Sequence, residues 1–530
     1  MLETSRAAVQ PLLFELVESD DIALAQQDGL VWFELLRAFE YKPLLLVAVQ
    51  YYEALWRFNT AQAELRRTAE EATANPEGQY QATLRLVESR ATLNKETPPL
   101  FELEAPMLQP EHVDAAQISP GVPPLRLSGM RPKCFFGMFK AFLGVTLQGK
   151  QPEPETVYGE LRNNPSFART CGFTLPDSTL GYRQSDRPSI RKLEQFDQIM
   201  SAHGLWAMAA IDQVARNLKS GRVKPEPNIV HDTTHYTAYS GMHTVNLAII
   251  GGDDETKKKS VAATTKNCRC KNRHICPHAW VSADDGAGTV TKSSTKQYWG
   301  HKASTIGLPE QQILLDAVAM SDAASHDSQS LVPHLARLFA RYPELQPTVK
   351  RVLDDGAADD AALKAEIAKT FGIELLAPIN PRGRQPLTQG LGRGIDHITG
   401  SGTPICKEGF PFELLGSRLE TEQFIFRAPK DDAGQFVCHT CPVRDGCYRG
   451  DGGGRQITVD FDLLPWIDPE FPQSSKRFKK VMAKRTAIER LHKLMKYDYG
   501  DGRLKKRGNV SFQALLDKTL LAMHVVLGSA

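Results

Sequence analysis

Apolar residues recur at helical spacing through Leu30–Phe39 and Val47–Phe58, and more sparsely through Ala61–Thr73 and Gln79–Leu93. The turn-forming run Asn75-Pro76-Glu77-Gly78 separates the last two, so residues 1–104 predict a helical region containing an antiparallel helix pair. Pro106, Pro110, Pro120, Pro123 and Pro124 mark residues 105–125 as a linker. The helical pattern resumes over 126–222, in Cys134–Leu147, Pro154–Asn163, Ile190–His203 and Leu205–Leu218. Short polar turns between these segments suit a small helical DNA-binding domain, and equally a structural spacer. Beyond Gly221 the pattern changes. Asn228–His235, Gln312–Met320, Thr348–Asp355 and Ile373–Pro378 read as strands, with helices at Ser328–Tyr342 and Ala361–Phe371 between them. This alternation predicts an α/β fold with a mixed sheet across residues 223–530.

Length and charge narrow the reading. A chain of 530 residues exceeds one hydrophobic core and implies three or four structural units. With 41% apolar and 24% charged residues the composition is that of a globular protein. The longest apolar run, Pro43–Gln50, is far too short to span a bilayer, and Met1-Leu-Glu-Thr-Ser-Arg6 does not read as a signal peptide. No membrane partner is expected, and the expected location is a cytoplasm. The net charge of +2 conceals a strong local bias: Lys476–Arg507 holds 13 Lys/Arg against 3 Asp/Glu, a balance of +10. Such a block calls for a polyanionic partner, although a solvated charged face has the same composition.

Three acids stand out. Asp232 lies at the end of one predicted strand. Asp355 ends another, directly before Gly356. Glu489 lies on a late helix with Arg485 four residues before it and Lys496 seven after, a spacing that puts all three on one helical face. Carboxylates from three separate elements can hold two magnesium ions (or manganese), leaving positions open for water and phosphate. Asp354, Asp359 and Asp360 compete for the second position, and Asp316 and Asp322 are rivals from elsewhere in the sheet.

Arg485-Thr-Ala-Ile-Glu489 with Lys496 resembles the Arg-x3-Glu-x6-Lys signature of bacterial insertion-sequence DDE transposases. Val352-Leu-Asp-Asp355-Gly resembles the segment holding that family's second aspartate, with Ala-Ala-Asp359 in place of Gly-Tyr-Asp. Tyr298-Trp-Gly-His-Lys302 and Ala324-Ser-His-Asp327 are similar to further family segments, and the resemblance covers roughly residues 126–525. Met482 departs from it, standing where the extended signature has a DNA-contacting tyrosine. The resemblance implies a ribonuclease H-like catalytic domain over 223–530, with insertions at about 250–297 and 380–470. It implies Asp232, Asp355 and Glu489 as catalytic magnesium ligands. Arg485 and Lys496 would grip phosphates, with Arg490, Arg503, Lys505, Lys506 and Arg507 as further DNA contacts.

Both proposed insertions carry cysteines. Cys406, Cys438, Cys441 and Cys447 supply the four thiolates of a tetrahedral structural zinc, with the Cys438-x-x-Cys441 pair preorganising two of them. Cys268, Cys270, His274, Cys276 and His278 offer a second zinc set amid basic residues, or a flexible basic loop. The lone Cys134 and Cys171 read as packed core thiols. The functional expectation is a transposase acting on double-stranded DNA, both the terminal inverted repeats of its element and the target, as a homodimer on DNA. Two alternatives remain: a catalytically inactive zinc-containing DNA-binding regulator, or a metal-dependent nuclease without strand transfer.

Overall fold

The computed structural model describes residues 35–36, 39, 42–74, 135–173, 187–239, 284, 286–291, 297–321, 323 and 325–529, the last with short breaks. The β-branched run after Pro227 forms β1 (Asn228–Thr237), the hub of a mixed six-stranded sheet. β2 (Gly288–Thr291) and β4 (Ile313–Ala319) both pair antiparallel with the long β3 (Gln297–Leu308), which lies antiparallel to β1. On the other side of β1, β5 (Arg351–Leu353) and β6 (Glu374–Leu376) continue the sheet in parallel. The sheet is thus antiparallel on one flank and parallel on the other.

Helices before the sheet follow the apolar spacing closely. α1 (Leu45–Ala74) runs unbroken through both segments that the sequence suggested as separate helices. α2 (Phe135–Leu147), α3 (Pro154–Asn163), α4 (Pro165–Thr170), α5 (Ile190–Ala202) and α6 (Leu205–Lys219) come next. Pro154 and Pro165 start α3 and α4 at positions where a missing N–H costs nothing, and the Asn164 side chain accepts from Phe167 N–H. α7 (Ser328–Arg341) and α8 (Ala361–Phe371) lie between sheet strands. α8 is capped by the Asp360 side chain and ended by the left-handed Gly372.

The core does not stop at residue 222. One apolar cluster extends from Leu35 through Phe135, Phe196 and Trp206 to the sheet residues Val230 and Ile306, and on to Val525. The helices expected as a separate DNA-binding domain therefore share a core with the sheet. Burying each large aromatic contributes about 2–3 kcal/mol, and Phe135, Phe139, Phe142, Phe196 and Trp206 are all essentially inaccessible. The last helix, α11 (Asn509–Ser529), is long and apolar enough to cross a membrane, but 78% of that stretch is buried within the protein, against α6 and β4. It is a core helix.

The segment after β6 folds around its own apolar cluster, including Phe412, Phe424, Phe426 and Leu464. It contains a hairpin of β7 (Ile395–Ile398) and β8 (Pro404–Cys406), and a three-stranded antiparallel sheet of β9 (Glu413–Arg418), β10 (Gln423–Arg427) and β11 (Gln456–Asp460). This segment thus has a core separate from the one around the six-stranded sheet. The expected insertion at 250–297 falls mostly outside the described residues, as do Cys134, the 105–125 linker and Gln79–Leu93.

Candidate active site

Parallel pairing between β1 and β5 sets Asn228, Ile229 and Val230 opposite Arg351, Val352 and Leu353. Carried two residues further, past the end of β5, this register would set Asp232 opposite Asp355, and strand alternation would give them a common face. The intervening pair goes to the reverse face: His231 Nδ1 and Asp354 Oδ2 are 2.7 Å apart, and both residues are buried. Of the competing acids, Asp354 is thus engaged below the sheet, and Asp359 is paired with Lys364 and Arg384. Asp316 is fully buried and bound by Arg337 at 3.0 Å and Arg341 at 3.1 Å, which removes it as a rival. Asp322 lies outside the described residues.

Asp355 takes the N-cap of a short 3-10 turn, and its Oδ1 accepts the Ala357 N–H at 2.7 Å. Asp232 is half-buried, with one oxygen taking its neighbour Thr233 N–H and the other 3.2 Å from Arg485 Nη2. Burial, assisted by the nearby Asp354 charge, pushes the Asp232 carboxyl up to about 6 against the pull of Arg485.

The stretch carrying Arg485, Glu489 and Lys496 is a composite helix. α9 (Lys476–Met482) leads into a 3-10 turn at Ala483–Thr486, then α10 (Ala487–Lys493), then a π turn at Leu494–Asp498. Overwinding before α10 and underwinding after it change the simple one-face spacing inferred from sequence. Arg485 and Lys496 nevertheless both reach β1. Arg485 meets Asp232, while Lys496 Nζ donates to the His235 carbonyl at 2.6 Å and lies 5.0 Å from the Tyr236 ring centroid.

One turn after Glu489, His492 Nε2 is 2.8 Å from Thr305 Oγ1, and Thr305 is both the register partner of Asp232 and a donor to its carbonyl. Burial, with Lys496 nearby, holds the His492 imidazole down at about 3, so it docks as a neutral ring. Glu489 is therefore flanked on both sides by residues fastened at the Asp232 position. It is itself exposed, and its side chain forms no hydrogen bond or ion pair among the described residues.

The three carboxylates are not drawn together: among the described residues, no group of three or more His, Cys, Asp or Glu side chains is assembled to hold a metal ion. The donor chemistry nonetheless fits a hard divalent cation, being all carboxylate oxygen. Burial is what raises the Asp232 carboxyl to about 6 against Arg485, and a bound cation would favour its ionised form. The Nε of Arg485 is buried and has no hydrogen-bond partner among the described residues.

The remaining basic candidates divide. Arg490 is exposed and its Nε donates to Gln312 at 2.9 Å. Arg503, Lys505 and Arg507 are exposed along the loop that pairs with the end of β1, where Thr237 N–H donates to the Gly502 carbonyl and the Thr237 carbonyl accepts from Leu504 N–H. Lys506 differs: it is bound by Asp197 at 2.6 Å and Glu153 at 3.0 Å, an internal anchor rather than a phosphate contact.

In the insertion, Cys406, Cys438, Cys441 and Cys447 line one cavity of about 270 Å³. Burial, with Cys447, Cys441 and Cys406 close by, pushes the Cys438 thiol up. Arg455 Nη1 sits 2.6 Å from Cys447 Sγ at the same cavity. The four sulfurs are chemistry fit for zinc, although they are not at coordinating positions. The Cys268, Cys270, His274, Cys276 and His278 group lies outside the described residues.

Sequence reasoning overlooked His231, Ser304, Thr305 and His492. Their signal was present in part, since a histidine on the apolar side of a strand beside a candidate acid invites a buried partner.

No family model matches the chain, and no curated protein matches it. Among solved structures, a piggyBac transposase synaptic complex with hairpin DNA matches at 9% identity and a TM-score of 0.32, covering 76% of this chain and 68% of that one. At that TM-score the likeness carries no argument about this chain.

Proposed function

We propose that this chain is a DDE transposase of the insertion-sequence type, with a ribonuclease H-like catalytic domain that cuts the terminal inverted repeats of its element and joins them to target DNA. The observation that carries the reading is the fastening of the Glu489 helix over Asp232, through Arg485 on one side and His492 with Thr305 on the other. The β1–β5 register, extended by two residues, would put Asp355 on the same face.

Magnesium or manganese, when bound by Asp232, Asp355 and Glu489, would supply the Lewis acidity for hydrolysis and then for attack by the new 3′-hydroxyl. The chain's own part is placement. Arg485, whose Nη2 lies 3.2 Å from Asp232, would hold a phosphate oxygen there, and Lys496 fixes the following turn against β1. The exposed Arg503, Lys505 and Arg507 extend the cationic surface along the DNA. Zinc at Cys406, Cys438, Cys441 and Cys447 would brace the insertion. A homodimer would pair two element ends, in a cytoplasm.

The test mixes protein, magnesium and DNA ends taken from the sequence flanking the coding region, comparing wild type with Asp232→Ala, Asp355→Ala and Glu489→Ala. Joined products that disappear in all three variants support the reading. Cleavage without joining would replace it with a nuclease. Binding without cleavage by the wild type would replace it with a regulator.

A further inference from the structure

Backbone pairing between β1 and β5 ends at Val230 and Leu353, two residues short of Asp232 and Asp355. Past that point the chains are tied by side chains below the sheet. His231 and Asp354, each immediately before one of the two acids, meet at 2.7 Å. The other oxygen of Asp354 accepts the Asp355 N–H at 2.7 Å, so the contact passes directly to the backbone of the second acid. On its far side, His231 Nε2 is 2.9 Å from Ser304 Oγ, which is 2.7 Å from His334 Nδ1 on α7. Every member of this chain is buried.

We propose that His231 is a positioning residue for the metal site: the His231–Asp354 contact sets the spacing of Asp232 and Asp355 across the gap where strand pairing has ended. The inference rests on the proposed metal-dependent function. Its physical basis is that a buried polar contact holds its geometry firmly, because breaking it leaves an unsatisfied group away from water. A carboxylate pair fixed in this way loses less order on binding a cation than two loose strand ends would.

Calorimetric titration of manganese into the intact protein tests this, alongside the thermal shift manganese produces and the affinity for end DNA. His231→Leu fills the site without a hydrogen bond. His231→Asn returns a donor near the Nδ1 position. We expect manganese affinity to fall on the order of tenfold in His231→Leu, the range typical of groups that orient metal ligands. His231→Asn should recover most of the loss, and DNA affinity should be unchanged in both. If His231→Leu fails to fold, Asp354→Asn, which preserves shape, carries the same expectation. Wild-type manganese affinity in His231→Leu, or in Asp354→Asn where that variant is needed, overturns the inference, as does a failure of His231→Asn to recover any of the loss. Wild-type protein that shows no Asp232-dependent manganese binding would instead remove the metal-site reading on which it rests.

Discussion

Asp232 is where the chemistry of single residues is most exposed to test. Its carboxyl titrates at about 6 in the folded chain against 3.8 for the free side chain. The folded state therefore binds this proton more tightly than the unfolded state, and the ionised form opposes folding. That opposition is complete above about pH 6 and gone below 3.8. Asp232→Asn should accordingly stabilise the metal-free protein at pH 8, by at most about 3 kcal/mol, with the two melting curves converging near pH 4. Manganese should reverse the order at pH 8 by binding only the ionised wild type. Arg485→Ala would remove the only cation within hydrogen-bonding distance of Asp232 among the described residues, and should weaken binding to end DNA more than Arg490→Ala does. At this scale the sequence was informative about acids and poor about their supports. Asp355 drew attention because an acid just past a strand end packs badly, whereas Asp232 lies within β1 and not at its end as the sequence suggested. Ser304 and Thr305 were not visible, because a serine or threonine in a strand is ordinary until its cross-strand partner is known.

Elements were legible wherever apolar spacing alone decides them. α3 and α8 match the segments read from sequence, since proline or an aspartate cap starts each and little tertiary force is needed to place its ends. The composite helix of Arg485–Lys496 was not legible, because 3-10 and π turns arise from docking on β1 and leave no periodic signature. The strands β7 to β11 were missed for a related reason. They are short, and several alternate exposed with half-buried residues, so the contrast that identifies a strand is weak. The zinc proposed at the cysteine cavity would brace this small core. Metal analysis should find zinc that is lost in Cys438→Ser. The variant should be cut by protease within residues 380–470 while α11 stays protected. Unchanged zinc content in Cys438→Ser would dispose of the brace.

Across the whole molecule, the basic loop, the early helices and the last helix meet at one buried ion cluster. Asp197 on α5 takes Lys518 of α11 at 2.5 Å, Lys506 of the loop at 2.6 Å and the Trp206 indole N–H at 3.0 Å. Lys518 also lies over the Phe142 and Trp206 rings, about 5 Å from each. Although burial works against it, these two lysines hold the Asp197 carboxyl below its usual range. Asp197→Ala would leave Lys518 buried without its partner, at a cost of about 3–5 kcal/mol. Hydrogen exchange should then quicken together in α11 and in the 502–508 loop. No pattern in the chain announced this cluster, since Lys506 and Lys518 both lie more than 300 residues from Asp197.

The claim on which the rest depends is that Asp232, Asp355 and Glu489 contact one metal site. Replacing each in turn by cysteine and comparing DNA-end cleavage in magnesium and in manganese tests it most directly, because a thiolate accepts the softer ion far better than magnesium. The account predicts that Asp232→Cys, Asp355→Cys and Glu489→Cys are each inactive in magnesium and that manganese restores part of the cleavage. Wild-type cleavage in magnesium by any of the three would contradict it.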